Sequence, residues 1–148
     1  IAKTSRTPGR TRSMVIFEYK NLFRIIDLPG YGFSRISKEK VLQLDKLIDK
    51  YLRKRINLKK IFLLIDSRHL LKSIDRIIID LLHKVSKKEI ILVFTKKDKI
   101  KNLELLKKHE LQIGNIKKDL NKIIFNTSIK ESNEIILLKN FLFNSVKD

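Results

Sequence analysis

Three unbroken apolar runs dominate what this chain can fold into: Ile61-Phe62-Leu63-Leu64-Ile65, Ile90-Ile91-Leu92-Val93-Phe94 and Ile123-Ile124-Phe125. Runs of this kind, rich in β-branched residues and without polar alternation, are strands buried on both faces, which belong to parallel sheets. The segments between them are amphipathic. Ile74, Ile77, Ile78, Leu81 and Leu82 predict a helix over about Ser73 to Val85, and Leu103, Leu106 and Leu111 predict a second, charged one. Ile136, Leu137, Phe141 and Leu142 fall in a closing helix near Asn133 to Val146. Two earlier strands, Met14–Tyr19 and Leu22–Asp27, turn at Lys20-Asn21 and form a hairpin. Ser37 is placed to cap a further helix, which presents Val41, Leu44, Leu47, Ile48 and Leu52 on one face up to about Arg55. Alternating strand and helix predicts an α/β fold: a doubly wound, mostly parallel sheet with a hairpin at one edge.

Chain breakers are scarce and clustered. Of four Gly and two Pro, all but Gly114 lie in Thr7-Pro8-Gly9-Arg10-Thr11 or in Asp27-Leu28-Pro29-Gly30-Tyr31-Gly32. The second of these follows the strand Arg24-Ile25-Ile26 directly, so a carboxylate and a glycine-rich turn sit just beyond a strand's carboxyl end. Open α/β sheets bind their ligands there. Thr95-Lys96-Lys97-Asp98 and Asn126-Thr127-Ser128 close two more strands with polar residues. One rim of the sheet is therefore expected to carry the chemistry.

At 148 residues the chain is one domain's worth, with 43% hydrophobic and 34% charged residues, the balance of a globular protein and not a disordered one. It has no cysteine, which removes disulfides, thiolate metal sites and cysteine nucleophiles, and which is compatible with the cytoplasm. No apolar run approaches a membrane span and no signal-peptide pattern opens the chain, so no membrane contact is expected. The formal net charge of +18 suits a phosphate-backbone partner. An A/T-rich coding bias toward lysine, isoleucine and asparagine explains the same excess. The charge is spread along the chain, and on this ground alone an RNA contact stays open. His83 and His109 lie among lysines and are read as surface residues, and His69 has no assigned role.

The rim loops resemble, in order, the downstream signature loops of a GTP-binding domain. Thr7-Pro8-Gly9-Arg10-Thr11, Asp27-Leu28-Pro29-Gly30-Tyr31-Gly32, Asp66-Ser67-Arg68-His69 and Thr95-Lys96-Lys97-Asp98 are similar to those of the EngB (YihA/YsxC) family of bacterial GTPases. That family is linked to large ribosomal subunit assembly and to normal cell division and septation. The resemblance implies a slow GTPase switch, monomeric and cytoplasmic, that binds GTP and GDP with Mg²⁺ and has the large ribosomal subunit or its RNA as partner.

Residue roles follow from the same resemblance. Asp27 would hold Mg²⁺ through a water, and Thr11 would give the ion a hydroxyl from the first switch loop, where Gly9, Arg10, Arg12 and Ser13 also flank the nucleotide. Leu28, Pro29 and Gly30 form the second phosphate-side loop, with the Gly30 N–H offered to the γ-phosphate. Asp98 would accept two hydrogen bonds from guanine, a donor pair that adenine lacks, while Thr95, Lys96 and Lys97 complete that loop and the Lys96 stem lies along the base. Phe125, Asn126 and Thr127 would approach the guanine carbonyl. Tyr31 takes the place where many GTPases carry a water-orienting Gln, so slow unassisted hydrolysis is expected.

The phosphate loop itself, Gly-x-x-x-x-Gly-Lys-Ser/Thr, does not occur in the chain. In the resembled family it precedes the first switch loop. Residues 1–148 thus read as a single, N-terminally truncated G domain without its first strand and phosphate loop, expected to fold poorly and to bind GTP weakly by itself. The alternative is a non-catalytic, basic RNA- or ribosome-binding protein on a decayed G domain. Intact Asp27, Gly30, Lys96 and Asp98 favour the switch. An adenine-nucleotide enzyme is disfavoured by Thr95-Lys96-Lys97-Asp98.

Overall fold

The computed structural model describes residues 15–28, 30, 51–120, 123–130 and 132–147. The chain divides into two compact units, Ile1–Arg55 and Ile56–Asp148.

In the first unit, β1 (Val15–Tyr19) and β2 (Phe23–Asp27) pair antiparallel, with Val15 opposite Asp27 and Tyr19 opposite Phe23. The turn is where the sequence put it. Lys20 and Asn21 both adopt left-handed backbone, φ 46° and 56°, and the Leu22 N–H donates to the Tyr19 carbonyl at 2.8 Å. Two successive positive φ values make the type I′ turn whose twist matches a hairpin. Leu22 belongs to that turn and is exposed, so β2 starts one residue later than expected. Tyr19 and Phe23 stack across the strand ends at 5.3 Å. Residues 51–54 are helical and bury Leu52. Of the helix expected from Ser37, the part up to residue 50 lies outside the described residues.

The second unit holds a parallel three-stranded sheet in the order β3 (Lys60–Asp66), β4 (Glu89–Thr95), β5 (Ile124–Asn126). Helix α1 (Ser73–Val85) links β3 to β4, α2 (Leu103–Leu120) links β4 to β5, and α3 (Ser132–Lys147) follows. β4 is the middle strand, and Ile90, Ile91, Leu92 and Phe94 have no exposed surface at all. That is the outcome its unbroken apolar run predicts when helices cover both faces. The pairing register shows how they do. Phe94 shares a face with Ile65 and Asn126, and there the His109 ring of α2 meets Phe94 edge-on, 5.0 Å between centroids. Val93 shares the opposite face with Leu64 and Phe125, and there Phe141 of α3 contacts Phe125 at 5.3 Å and Phe62 at 6.3 Å. Helices on both faces of a mostly parallel sheet are the doubly wound arrangement.

Three readings of the helices need correction. On α2, Leu103 and Leu111 are exposed, and the buried stripe is His109, Ile113 and Ile116 with Leu106 half-buried. His109 is therefore a core residue, not a surface one: its spacing places it in line with the isoleucines. On α1, Ile77 is exposed, and Ile78, Ile79 and Leu82 face inward. On α3, whose span includes all four apolar residues named for it, Ile136 and Leu137 are exposed, which corrects only a reading of every helical Ile and Leu as core. No helix among the described residues is long and apolar enough to cross a membrane.

Candidate functional site

Parallel strands end together, so Asp66, Thr95 and Asn126 share one rim, as expected for the loops after β4 and β5. The loop after β4 is the centre of that rim. Thr95 closes the strand and donates its hydroxyl to the Ile65 carbonyl at 3.2 Å. Lys96 then takes a left-handed conformation, φ 62° and ψ 34°, and Lys97–Lys99 form one turn of 3-10 helix. Left-handed backbone is costly for a residue with a Cβ, and such strain collects at functional sites.

Both neighbouring loops fasten this turn. From the β3 side, the Ser67 N–H donates to the Thr95 carbonyl at 2.8 Å, and the Lys96 Nζ donates to Asp66 Oδ2 at 2.8 Å. From the β5 side, the Thr127 N–H and hydroxyl both donate to the Phe94 carbonyl, at 2.6 and 3.1 Å, and the Lys97 N–H donates to the Thr127 carbonyl at 3.2 Å. The Ser128 hydroxyl donates to Asp98 Oδ1 at 2.9 Å, while Lys99 Nζ stands 3.6 Å from Oδ2. The Asp98 carboxylate is thus largely shielded, 13% exposed, and set in one orientation by a nearly buried hydroxyl. Four lone-pair directions serve two oxygens, so capacity for further donors is left.

Asp66 is held from several directions. The Arg68 guanidinium spans its two oxygens, Nε to Oδ1 at 2.9 Å and Nη2 to Oδ2 at 2.6 Å, and the Arg68 N–H adds a bond to Oδ1 at 3.0 Å. Partial burial works against the charge of this carboxyl. Hydrogen bonds from the Arg68 and Lys96 side chains, the Arg68 N–H bond and the Lys96 charge outweigh it, and hold the group well below the usual carboxylate range. Lys97 reaches the other way, to Glu134 on α3 at 3.3 Å.

The structure brings Thr95, Lys96, Lys97, Asp98 and Thr127 together. It sets half-buried Phe125 against Phe141, and it places Asn126 inside β5 opposite Phe94, with Oδ1 buried and unpaired. In the first unit, Asp27 ends β2 as an exposed carboxylate, followed by half-buried Leu28 and exposed Gly30. Gly9, Arg10, Thr11, Arg12, Ser13, Pro29 and Tyr31 lie outside the described residues. Ser128, Asp66 and Arg68 are rim residues to which the sequence assigned no role. Ser128 stands two positions past the strand end, and Asp66 occupies in β3 the place that Asp27 occupies in β2.

Several known proteins are similar to this chain. A family model described as 50S ribosome-binding GTPase matches residues 1–96. A probable GTP-binding protein EngB of Mycoplasmopsis pulmonis is 38% identical over 99% of this chain and 77% of its own length. The corresponding EngB protein of Thermosipho africanus is 42% identical over 72% of this chain and 55% of its own. The chain spans about half the length of the first several curated relatives that it matches. Among solved structures, a variant of Era from Aquifex aeolicus bound to GDP and AlF4⁻ aligns with a TM-score of 0.60 and 25% identity, covering 94% of this chain and 46% of that one.

Proposed function

The chain belongs to the EngB family of GTP-binding proteins, and on that premise we propose that the full-length protein is a guanine-nucleotide switch. It binds GTP and GDP, hydrolyses GTP slowly, and serves large ribosomal subunit assembly and normal cell division and septation. The observation that carries this reading is the Asp98 carboxylate, shielded and oriented by Ser128 beside the strained Lys96. A fixed carboxylate accepts the guanine N1–H and exocyclic amine together. Adenine offers no such pair, and would leave the carboxylate desolvated and unmatched, at a cost of up to ~10⁴-fold in selection.

On the phosphate side, Gly30 would give its N–H to the γ-phosphate, Gly9–Ser13 would flank the nucleotide, and Thr11 and Asp27 would serve Mg²⁺. Asp27 suits that ion: it is an exposed, hard oxygen donor at a strand end, and Mg²⁺ takes few protein oxygens and keeps several waters. Bound there, the ion would neutralise charge on the phosphates. Tyr31 follows the Asp-x-x-Gly turn. Its phenol has one oxygen on a rigid ring where a carboxamide has a separate donor and acceptor, so unassisted turnover is slow and rises with a partner, the ribosomal large subunit or its RNA. The net charge of +18 favours such a contact. The protein would act in the cytoplasm as a monomer.

A titration of the full-length protein with fluorescent GDP, competed by GTP and by ADP, tests the proposal. Displacement by GTP but not ADP is expected, and Asp98→Asn should shift preference toward xanthine nucleotides. A folded protein that binds no guanine nucleotide would leave the basic, RNA-binding remnant as the better account.

A further inference from the structure

We propose that Asp66, gripped by Arg68, is a positioning residue for the nucleotide site, holding the Lys96 ammonium so that the lysine stem is set before the base arrives. This rests on the guanine-nucleotide reading above and adds a loop to it that no signature for the base assigns. Two observations meet here. The Lys96 backbone is locked at φ 62°, which fixes the direction in which its side chain leaves the chain. The far end of the same side chain is tied to Asp66 Oδ2 at 2.8 Å. A lysine fixed at both ends has lost the rotamer freedom that a ligand would otherwise have to remove on binding.

Stability is not what this cluster supplies. The Arg68 and Lys96 side chains are 46% and 43% exposed, and ion pairs of that exposure stabilise folds little. Yet Arg68 commits its fork and its backbone N–H to one carboxylate, an arrangement that sets orientation. The bonds from Ser67 to Thr95 and from Thr95 to Ile65 hold the two strand ends in the register that lets Asp66 reach Lys96. Asp66 therefore acts through Lys96, not on the nucleotide itself.

The test is a double-mutant cycle read by fluorescent-GDP titration of the full-length protein: wild type, Asp66→Asn, Lys96→Ala and the pair. Asp66→Asn is expected to weaken GDP binding by about tenfold, the scale of one side chain's ordering. In the Lys96→Ala background the same change should cost no more than about twofold, since the stem it positions is gone. Equal losses in both backgrounds would mark Asp66 as merely structural and overturn the proposal, as would an unchanged affinity for Asp66→Asn. Should Asp66→Asn fail to fold, Arg68→Gln keeps the carboxylate and loosens its orientation. A loss of about threefold that vanishes with Lys96→Ala is then expected, and no loss would refute the proposal. Wild-type protein that binds no GDP sinks the guanine reading itself. Binding that ignores Asp66 and Arg68 sinks only this inference.

Discussion

The strands β2 and β4 end alike in sequence, each an apolar run closing on polar residues, but they are held by different means. β4 has a partner on both sides and a helix over each face, and four of its side chains are wholly buried. Among the described residues β2 pairs with β1 alone, and its Ile25 is 46% exposed. The Thr95–Asp98 turn thus leaves from the most deeply buried strand described, pinned by bonds from the loops on either side. Asp27 instead closes a strand of a hairpin. A two-stranded hairpin is marginal without other support, and elements that must move are drawn from the low-stability end of a fold. The contrast sets a well-supported turn in the second unit against a lightly supported strand end in the first.

Amide hydrogen exchange gives the widest separation. The β4 amides should exchange roughly 10³-fold more slowly than those of β2, because only the former wait for global unfolding. Equal protection would break the comparison. Core substitution comes next. Leu92→Ala in β4 should cost about 2–5 kcal/mol in denaturant melts, and Ile25→Ala in β2 about 1 kcal/mol or less. Similar losses would mean that Ile25 meets a packed neighbour.

A smaller effect concerns the support beneath β4. His109 is fully buried, neither ring nitrogen has a hydrogen-bond partner, and burial pushes its pKa down, with Glu110 opposing and Lys97 adding to the shift. The unfolded chain then takes up the proton first. Stability should fall as pH drops through about 6.5, by at most about 1.4 kcal/mol per pH unit, and level off below the folded-state value. His109→Leu should flatten this dependence, and a profile that persists in the variant would assign it elsewhere. The opposite face of α2 supplies the smallest difference. Breaking the exposed Glu104–Lys108 pair, 2.6 Å apart, should cost about 0.3–0.5 kcal/mol, and less in high salt.

Much of this was legible in the sequence, and the misses have physical causes. The helix Ser73–Val85 has the bounds its periodicity predicts, and β3 adds one polar residue at each end of its apolar run, Lys60 and Asp66. The end of the apolar run at Phe125 predicts Asn126 in the loop beyond it, but ladder pairing opposite Phe94 draws it into β5. His109 was read from its charged neighbours, although its position relative to Ile113 and Ile116 is what decides its burial. The bonds of Lys96 to Asp66 and of Ser128 to Asp98 each join residues 30 positions apart. A motif can show that a loop is special, but which side chain of another loop answers it depends on sheet order.

The left-handed backbone of Lys96 has a further consequence, for anyone who would engineer this protein. Glycine adopts that conformation freely, so a stability screen without nucleotide should select Lys96→Gly as an improvement. The same change deletes the stem that, on the proposed reading, would lie along the base. On the proposed guanine reading, selection for robustness alone would drift toward a tougher protein that holds its nucleotide less well.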